Sequence, residues 1–243
     1  SFYYPIEGFG DIFESIKDSI GDEKISYNSI ITGIIHDGKK IKNLNLFNMD
    51  SLDIDQLFCT IPLNILINIL QPAPPKEIIE IVNQIKFRSV RLCVITLDQM
   101  NFSENASIYF PESIFPFTRI YEPKNRSEAL APKGKTCIVI EVPCNSDDTI
   151  YQLSNNEFVA QIKTILIDNN IIDSKKVINS TSEKIEYAYP ILSIRNKDNI
   201  KKVFRYLEQF KNLHLLGRSA QFKYLHTHDL FKDARNQIEK IIH

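Results

Sequence analysis

Glycine is scarce, with seven residues in 243: Gly8, Gly10, Gly21, Gly33, Gly38, Gly134 and Gly217. No G-x-G-x-x-G can be drawn through them. Gly33 and Gly38-Lys39 have Walker-type spacing, but Lys40 stands where the following Ser or Thr belongs. A self-contained dinucleotide or P-loop phosphate cradle is therefore excluded. Excess charge of either sign is lacking too. Lys and Arg number 29 against 30 Asp and Glu, a formal net charge of -1, so the electrostatic footprint of a nucleic-acid binder is missing. No unbroken apolar run is long enough to span a bilayer. The longest candidate, Ile61–Leu70, is short and carries two asparagines. There is no basic segment leading into an apolar core, so no signal peptide is visible.

Cysteine is equally sparse. Cys59, Cys93, Cys137 and Cys144 form no C-x-x-C and no zinc-finger pairing. Cys59, Cys93 and Cys137 sit in apolar, β-like runs, which reads as free buried thiols in a reducing cytosol. What is present is ordinary globular material, 43% hydrophobic and 24% charged. That composition suits one large or two small domains. The first residue is Ser1 rather than Met, which leads us to expect a piece of something longer.

Residues 8–20 place Phe9, Ile12, Phe13, Ile16 and Ile20 on one helical stripe ended by Gly21. Asp37-Gly38 between Ser29–His36 and Lys39–Asn48 reads as a hairpin turn. A short buried strand over 57–61 runs into Pro62 and a helix over 63–70, then a helix near 76–85. Strands are expected at Ser89–Asp98, Ile108–Phe110 and Lys135–Val142. A helix over 155–168 turns Phe158, Ile162, Ile165 and Leu166 inward. Two short strands near 176–180 and 185–189 precede a helix over 198–210, and Leu213–Leu216 is a strand closed by Gly217. The last helix, 227–242, presents Phe231, Ala234, Ile238 and Ile241. Strands and helices mix without βαβ alternation, so the expected class is α+β, a mixed α/β chain.

Candidate chemistry is concentrated in two places. Residues 108–127 pack aromatics and prolines around Arg119 and Arg126. A guanidinium among aromatic faces suits a planar or anionic ligand, because stacking and bidentate hydrogen bonding coincide there. Equally, the segment could be a packed loop whose arginine neutralises Glu122 or Glu112. Leu213–Leu230 reads as an apolar strand, a glycine and a helix start, the arrangement that presents backbone N–H groups to a phosphate or flavin edge, or else a plain strand-to-helix turn. A Ser-His-Asp triad lacks its G-x-S-x-G elbow. His226-Thr-His228 would share a face only if extended, so no metal site is expected.

Several segments, in order, resemble one family. They are Tyr4-Pro-Ile-Glu-Gly-Phe-Gly10, the hairpin Ile25–Lys42, Asp53–Pro62 ending Cys-Thr-Ile-Pro, and Phe87-Arg-Ser-Val90. Ile108-Tyr-Phe-Pro111, Phe117-Thr-Arg-Ile120, Glu141-Val-Pro143, Ala188-Tyr-Pro190, and Gly217-Arg218 with Phe222, Tyr224 and Asp229 complete the series. This set resembles the C-terminal half of FAD-dependent oxidoreductases of the amine oxidase, protoporphyrinogen oxidase and UDP-galactopyranose mutase-like group. Ile6-Glu7 and Ser219-Ala220 depart from the pattern, the latter lacking a second glycine.

The resemblance implies a split FAD-binding domain, of which residues 1–62 and 211–243 are parts, and a substrate-binding domain over 63–210 with a mixed sheet and flanking helices. It implies FAD contacts from Gly217, Arg218, Ser219, Tyr224 and Asp229. Arg119, Arg126, Tyr109, Tyr121 and Tyr189 would line the side facing a small anionic substrate such as a nucleotide-sugar. The glycine-rich half of the cofactor domain would lie upstream, so the chain alone would bind FAD poorly and be inactive. A non-catalytic binding or interaction domain on the same scaffold is the competing reading.

Overall fold

In a computed structural model, which describes residues 3–242, helices and strands mix as the pattern predicts. In chain order the elements are α1 (Asp11–Ile20), β1 (Ile31–His36), β2 (Ile41–Leu46), β3 (Met49–Asp53), β4 (Leu57–Cys59), α2 (Leu63–Asn68) and β5 (Leu70–Gln71). There follow α3 (Lys76–Gln84), β6 (Phe87–Leu97), β7 (Ser107–Tyr109), β8 (Arg119–Tyr121), β9 (Thr136–Cys144), α4 (Thr149–Gln152) and α5 (Asn155–Asp168). The chain closes with β10 (Val177–Pro190), α6 (Lys197–Leu207), β11 (Leu213–Leu215), α7 (Gly217–Ala220) and α8 (Thr227–Ile242). The class is α+β.

Two compact units are built from interleaved segments, one from residues up to 26 and 88–186, the other from 27–87 and 187 onward. These compact units divide at 26/27, 87/88 and 186/187. The physical reason is a shared core: Leu63, Leu66, Ile78, Val82, Val203 and Leu207 pack with Ile34 and Ile41 of the hairpin. Residues near the start join the other unit instead, where the Ser127 hydroxyl donates to Ile6 O at 2.6 Å.

The first unit is a five-stranded sheet in the order β10-β6-β9-β8-β7. β6 and β9 pair antiparallel from Ser89–Cys144 to Leu97–Thr136. One face packs on α5 through Phe158, Ile162 and Leu166. α5 starts with a capping box: Ser154 Oγ accepts from Glu157 N at 3.3 Å, and Glu157 accepts from Ser154 N at 3.0 Å. Its N-terminal approach is anchored by Arg91, which is fully buried. The Arg91 guanidinium donates to Ile150 O at 3.1 Å, Leu153 O at 2.8 Å and Asn155 Oδ1 at 3.0 Å, and it covers the Phe158 ring at 3.9 Å.

Where two short strands are expected over 176–189, there is one, β10. Its polar middle looks like a turn in sequence, but Ser182 is buried and hydrogen-bonded to Arg91 at 3.4 Å, which keeps the strand continuous. β8 is likewise a strand where the prolines suggest a loop. It pairs on both sides, with β7 and with β9.

The second unit holds a four-stranded sheet, β3-β2-β1-β5, and a two-stranded parallel ladder, β11-β4. Asp37 caps the hairpin turn, accepting from Lys39 N at 2.9 Å and Lys40 N at 2.8 Å, with Gly38 at φ +88°. The Gly33–Lys39 stretch is thus strand and turn leading into another strand, which removes its Walker spacing from consideration. The strand expected to run to Asn48 turns there instead (φ +55°) and returns as β3. Buried Asn212 ties sheet to ladder by accepting from Ile41 N at 2.8 Å and donating to Ile41 O and Asp55 O, both at 2.9 Å. The apolar stripes of α1 and α8 form as expected but stay exposed at Phe9, Phe13, Phe231 and Ile238. No helix among the described residues is long and apolar enough to cross a membrane.

Candidate functional site

The structure gathers the expected site residues into two arginine-tyrosine clusters, one in each unit. In the first unit, alternation along β8 and β9 sends Ile120 and Ile140 into the core, and Arg119, Tyr121 and Glu141, with Tyr109 of β7, to the opposite face. Arg119 and Glu141 are direct cross-strand partners. Arg119 Nε donates to Glu141 Oε2 at 3.1 Å, and the second guanidinium nitrogen, Nη2, meets the same oxygen. The guanidinium also lies over the Tyr121 ring at 5.1 Å. Burial pulls its pKa down, but bonding to Glu141 and to Tyr109 outweighs that and raises it. Burial, reinforced by Glu141, raises the Tyr121 phenol, against the opposing charges of Arg119 and Arg126. Arg126 itself is exposed beside this face.

Neither glutamate expected to neutralise Arg119 does so. Glu122 is buried and accepts instead from Phe102 N and Ser103 N at 2.9 Å and from Thr136 Oγ1 at 2.6 Å, fixing the 102–103 loop. Glu141 was missed because its pairing depends on sheet register, which local spacing does not carry.

In the second unit, β4 and β11 run parallel and end side by side, Leu216 N donating to Cys59 O at 2.9 Å. From the ends of these strands the chain turns through Thr60–Pro62 into α2 and through Leu216 into α7. Gly217 opens α7 at φ +80°, a backbone that favours glycine, beside Thr60. Ala220 is fully buried, so the missing second glycine marks packing inside the protein rather than an exposed backbone surface. Ser219 lies within α7.

Arg218 carries the cluster. Its guanidinium stands 5.1 Å from the Tyr189 ring centroid and 5.9 Å from that of Tyr224. The two tyrosines stack on each other at 5.6 Å and 24°. Tyr224 meets His226 edge-on at 5.9 Å, and His226 stacks on His228 at 5.8 Å and 3°. Among the described residues no carboxylate lies within ion-pairing distance of Arg218. Tyr189, grouped with Arg119 in the sequence, sits here instead. Asp229 accepts from His226 N at 3.2 Å and lies 3.5 Å from His228, so it caps the start of α8.

Other chemistry is poorly provided for. Burial pushes the Cys59 thiol up to about 11 and the Cys93 thiol up to about 12, which disfavours the nucleophilic thiolate. All four cysteines are free, and Cys137 is only partly buried. Among the described residues no group of three His, Cys, Asp or Glu side chains could hold a metal ion.

Known proteins share this fold. Reduced UDP-galactopyranose mutase is similar at TM-score 0.76 and 20% identity, over 89% of this chain and 46% of that one. A protein assigned as a protoporphyrinogen oxidase from Exiguobacterium sp. 255-15 gives TM-score 0.75 and 16% identity, over 96% of this chain and 51% of that one. Putrescine oxidase bound to putrescine gives 0.67 and 14%, over 98% and 53%. This chain therefore spans about half the length of each of these structures. No curated protein sequence matches significantly. The family model described as UDP-galactopyranose mutase matches residues 27–165, more than half of the chain, and the protein belongs to that family.

Proposed function

We propose that this chain is the substrate-side and flavin-edge portion of an FAD-dependent enzyme, of oxidoreductase or mutase type, acting on an anionic substrate of the nucleotide-sugar class. One observation carries the reading. Arg218 projects over two stacked tyrosines beside the ends of parallel strands β4 and β11, with no carboxylate committed to it among the described residues. In α/β sheets that end of the strands is where ligands settle. An uncompensated guanidinium offers bidentate hydrogen bonds to a phosphate or carboxylate, and the tyrosine faces accept a flat ring.

The fit to FAD is partial, and its limits are instructive. Gly217 at positive φ and the first N–H groups of α7, which no carbonyl of their own helix can pair, suit one edge of the cofactor. Nothing among these 243 residues supplies the glycine-rich pyrophosphate cradle. That half of the site is assigned to residues outside them. When bound, the flavin supplies electron-transfer chemistry that no side chain provides. The chain's own groups bind and orient. Arg218 is assigned to the anionic group of the substrate at the flavin edge, Ser219 and Tyr224 to the cofactor side, and Asp229 to holding the α8 start. Tyr189, stacked on Tyr224, is assigned to the ligand-facing side of the same cluster. Arg126, Tyr109 and Tyr121 are assigned to substrate contacts on the open face of the first unit's sheet, while Arg119, held by Glu141, shapes that face. We place the protein in the cytosol, in keeping with its free, mostly buried thiols.

The test is direct. The full-length protein, purified and supplied with FAD, should show flavin absorbance near one equivalent and consume UDP-galactopyranose, and Arg218→Ala should weaken both. A colourless protein that takes up no FAD and leaves UDP-galactopyranose intact would replace this reading with that of a non-catalytic domain retaining the scaffold.

A further inference from the structure

A second recognition surface lies on α6. Lys197, Ile200, Lys201 and Phe204 recur at the spacing that puts side chains on one helix face, and all four line an open cavity of about 480 Å³. Phe222 adds to its apolar floor, and Lys223 brings a third ammonium group. Leu192 and Ile194 stand at its mouth, 61% and 95% exposed. Large aliphatic side chains left so fully in water cost free energy that a covering ligand would recover. The volume falls in the range of small-molecule sites.

Charge decides what such a ligand must be. Lys201 is paired with Asp198 at 2.8 Å, and Lys202, on the neighbouring helix face, pairs with Glu77 at 2.7 Å. Lys197 and Lys223 have no ion-pair partner among the described residues. The cavity thus combines an apolar floor with a net cationic rim. The complement is an amphiphile with an anionic head. We propose that it binds a monomeric single-chain carboxylate, its tail against Ile200, Phe204 and Phe222 and its head among Lys197, Lys201 and Lys223. This site is additional to the flavin and nucleotide-sugar reading and does not depend on it.

Calorimetric titration of the protein with sodium decanoate, kept below its micelle concentration, tests this. Saturable one-to-one binding that weakens with added salt is expected, while decyltrimethylammonium, of equal tail and opposite charge, should not bind. The double variant Lys197→Glu/Lys223→Glu should lose about tenfold in affinity, since two attractions become repulsions at the exposed rim. Ile194→Ser changes a residue that is 95% exposed, so folding is spared, and the lost tail contact should cost about threefold. Three results would overturn the proposal: equal binding of the cationic analogue, undiminished affinity in the double lysine variant, or binding to phosphatidylserine vesicles without binding of monomeric decanoate. The last outcome would make this a membrane-docking face instead.

Discussion

The two units handle arginine in opposite ways. In the first, Arg91 is wholly enclosed, and its two terminal nitrogens are met by two helix-end carbonyls, Asn155 and Ser182, while its Nε has no hydrogen-bond partner. Arg119, on the same sheet, is met by Glu141, whose side chain is only 15% exposed. In the second unit Arg218 faces two aromatic rings and no carboxylate among the described residues. A buried guanidinium must be satisfied or it destabilises the fold, so satisfied arginines are explained by the fold itself. An arginine held in place by ring stacking, with its hydrogen-bonding fork unspent, is not. The contrast separates architecture from recognition more sharply than residue type does, since all three arginines sit beside aromatic rings.

The largest effect should come from the most enclosed of the three. Arg91→Ala would orphan Ile150 O and Leu153 O, strip the cover from Phe158 and leave a void, at a cost of about 4 kcal/mol in urea unfolding. Arg91→Met, which fills the space without donors, should recover part of that. A cost below about 1 kcal/mol for the alanine variant would break the claim that satisfied arginines are structural here.

Next comes affinity. Arg218→Ala should weaken UDP binding by the full-length protein by about tenfold to a hundredfold, the range for one charge-assisted contact. Its unfolding free energy should change by less than about 0.5 kcal/mol. The reverse is expected at the other cluster. Arg119→Ala should cost about 1–2 kcal/mol of stability, because Glu141 is left largely buried without its partner, and change UDP affinity by less than about threefold. Glu141→Gln sharpens the comparison from the other side. If Arg119 is inert only because its charge is already matched, freeing it should raise anion affinity by about threefold. No change would place the cause in geometry rather than charge.

Much of this fold was legible because the information is local. Asp37-Gly38 sets the hairpin, and Phe158, Ile162 and Leu166 mark the buried stripe of α5. What was not legible depends on partners far along the chain. β8 is three residues between prolines, and only pairing with β7 and β9 makes it a strand. Glu141 becomes the partner of Arg119 through register, whereas the nearer Glu122 is spent on backbone N–H groups. The stripes of α1 and α8 show the same limit. Periodicity identifies an apolar face, but not whether anything covers it. At the candidate site, Arg218 and Tyr224 were legible from the closing motif. Tyr189 carries no local sign of its neighbour, because only the fold brings it under Arg218.

The smallest effect concerns the ladder that holds the Arg218 turn. His214 lies on β11, bonded to Gln56 Oε1 at 2.8 Å and stacked on Phe58 at 4.9 Å. Burial lowers its pKa below the ordinary 6.5, so the folded chain favours the neutral ring. The stability this brings is complete above pH 6.5. As pH falls below that value the unfolded chain takes up the proton first, and the contribution drains away until the folded ring is protonated as well. The urea midpoint of the wild type should therefore fall between pH 7.5 and pH 5.5, and by more than that of His214→Gln. Any accompanying loss of UDP affinity that disappears in His214→Gln would then report the ladder positioning Arg218, whereas a loss identical in both chains would trace the pH effect to other groups.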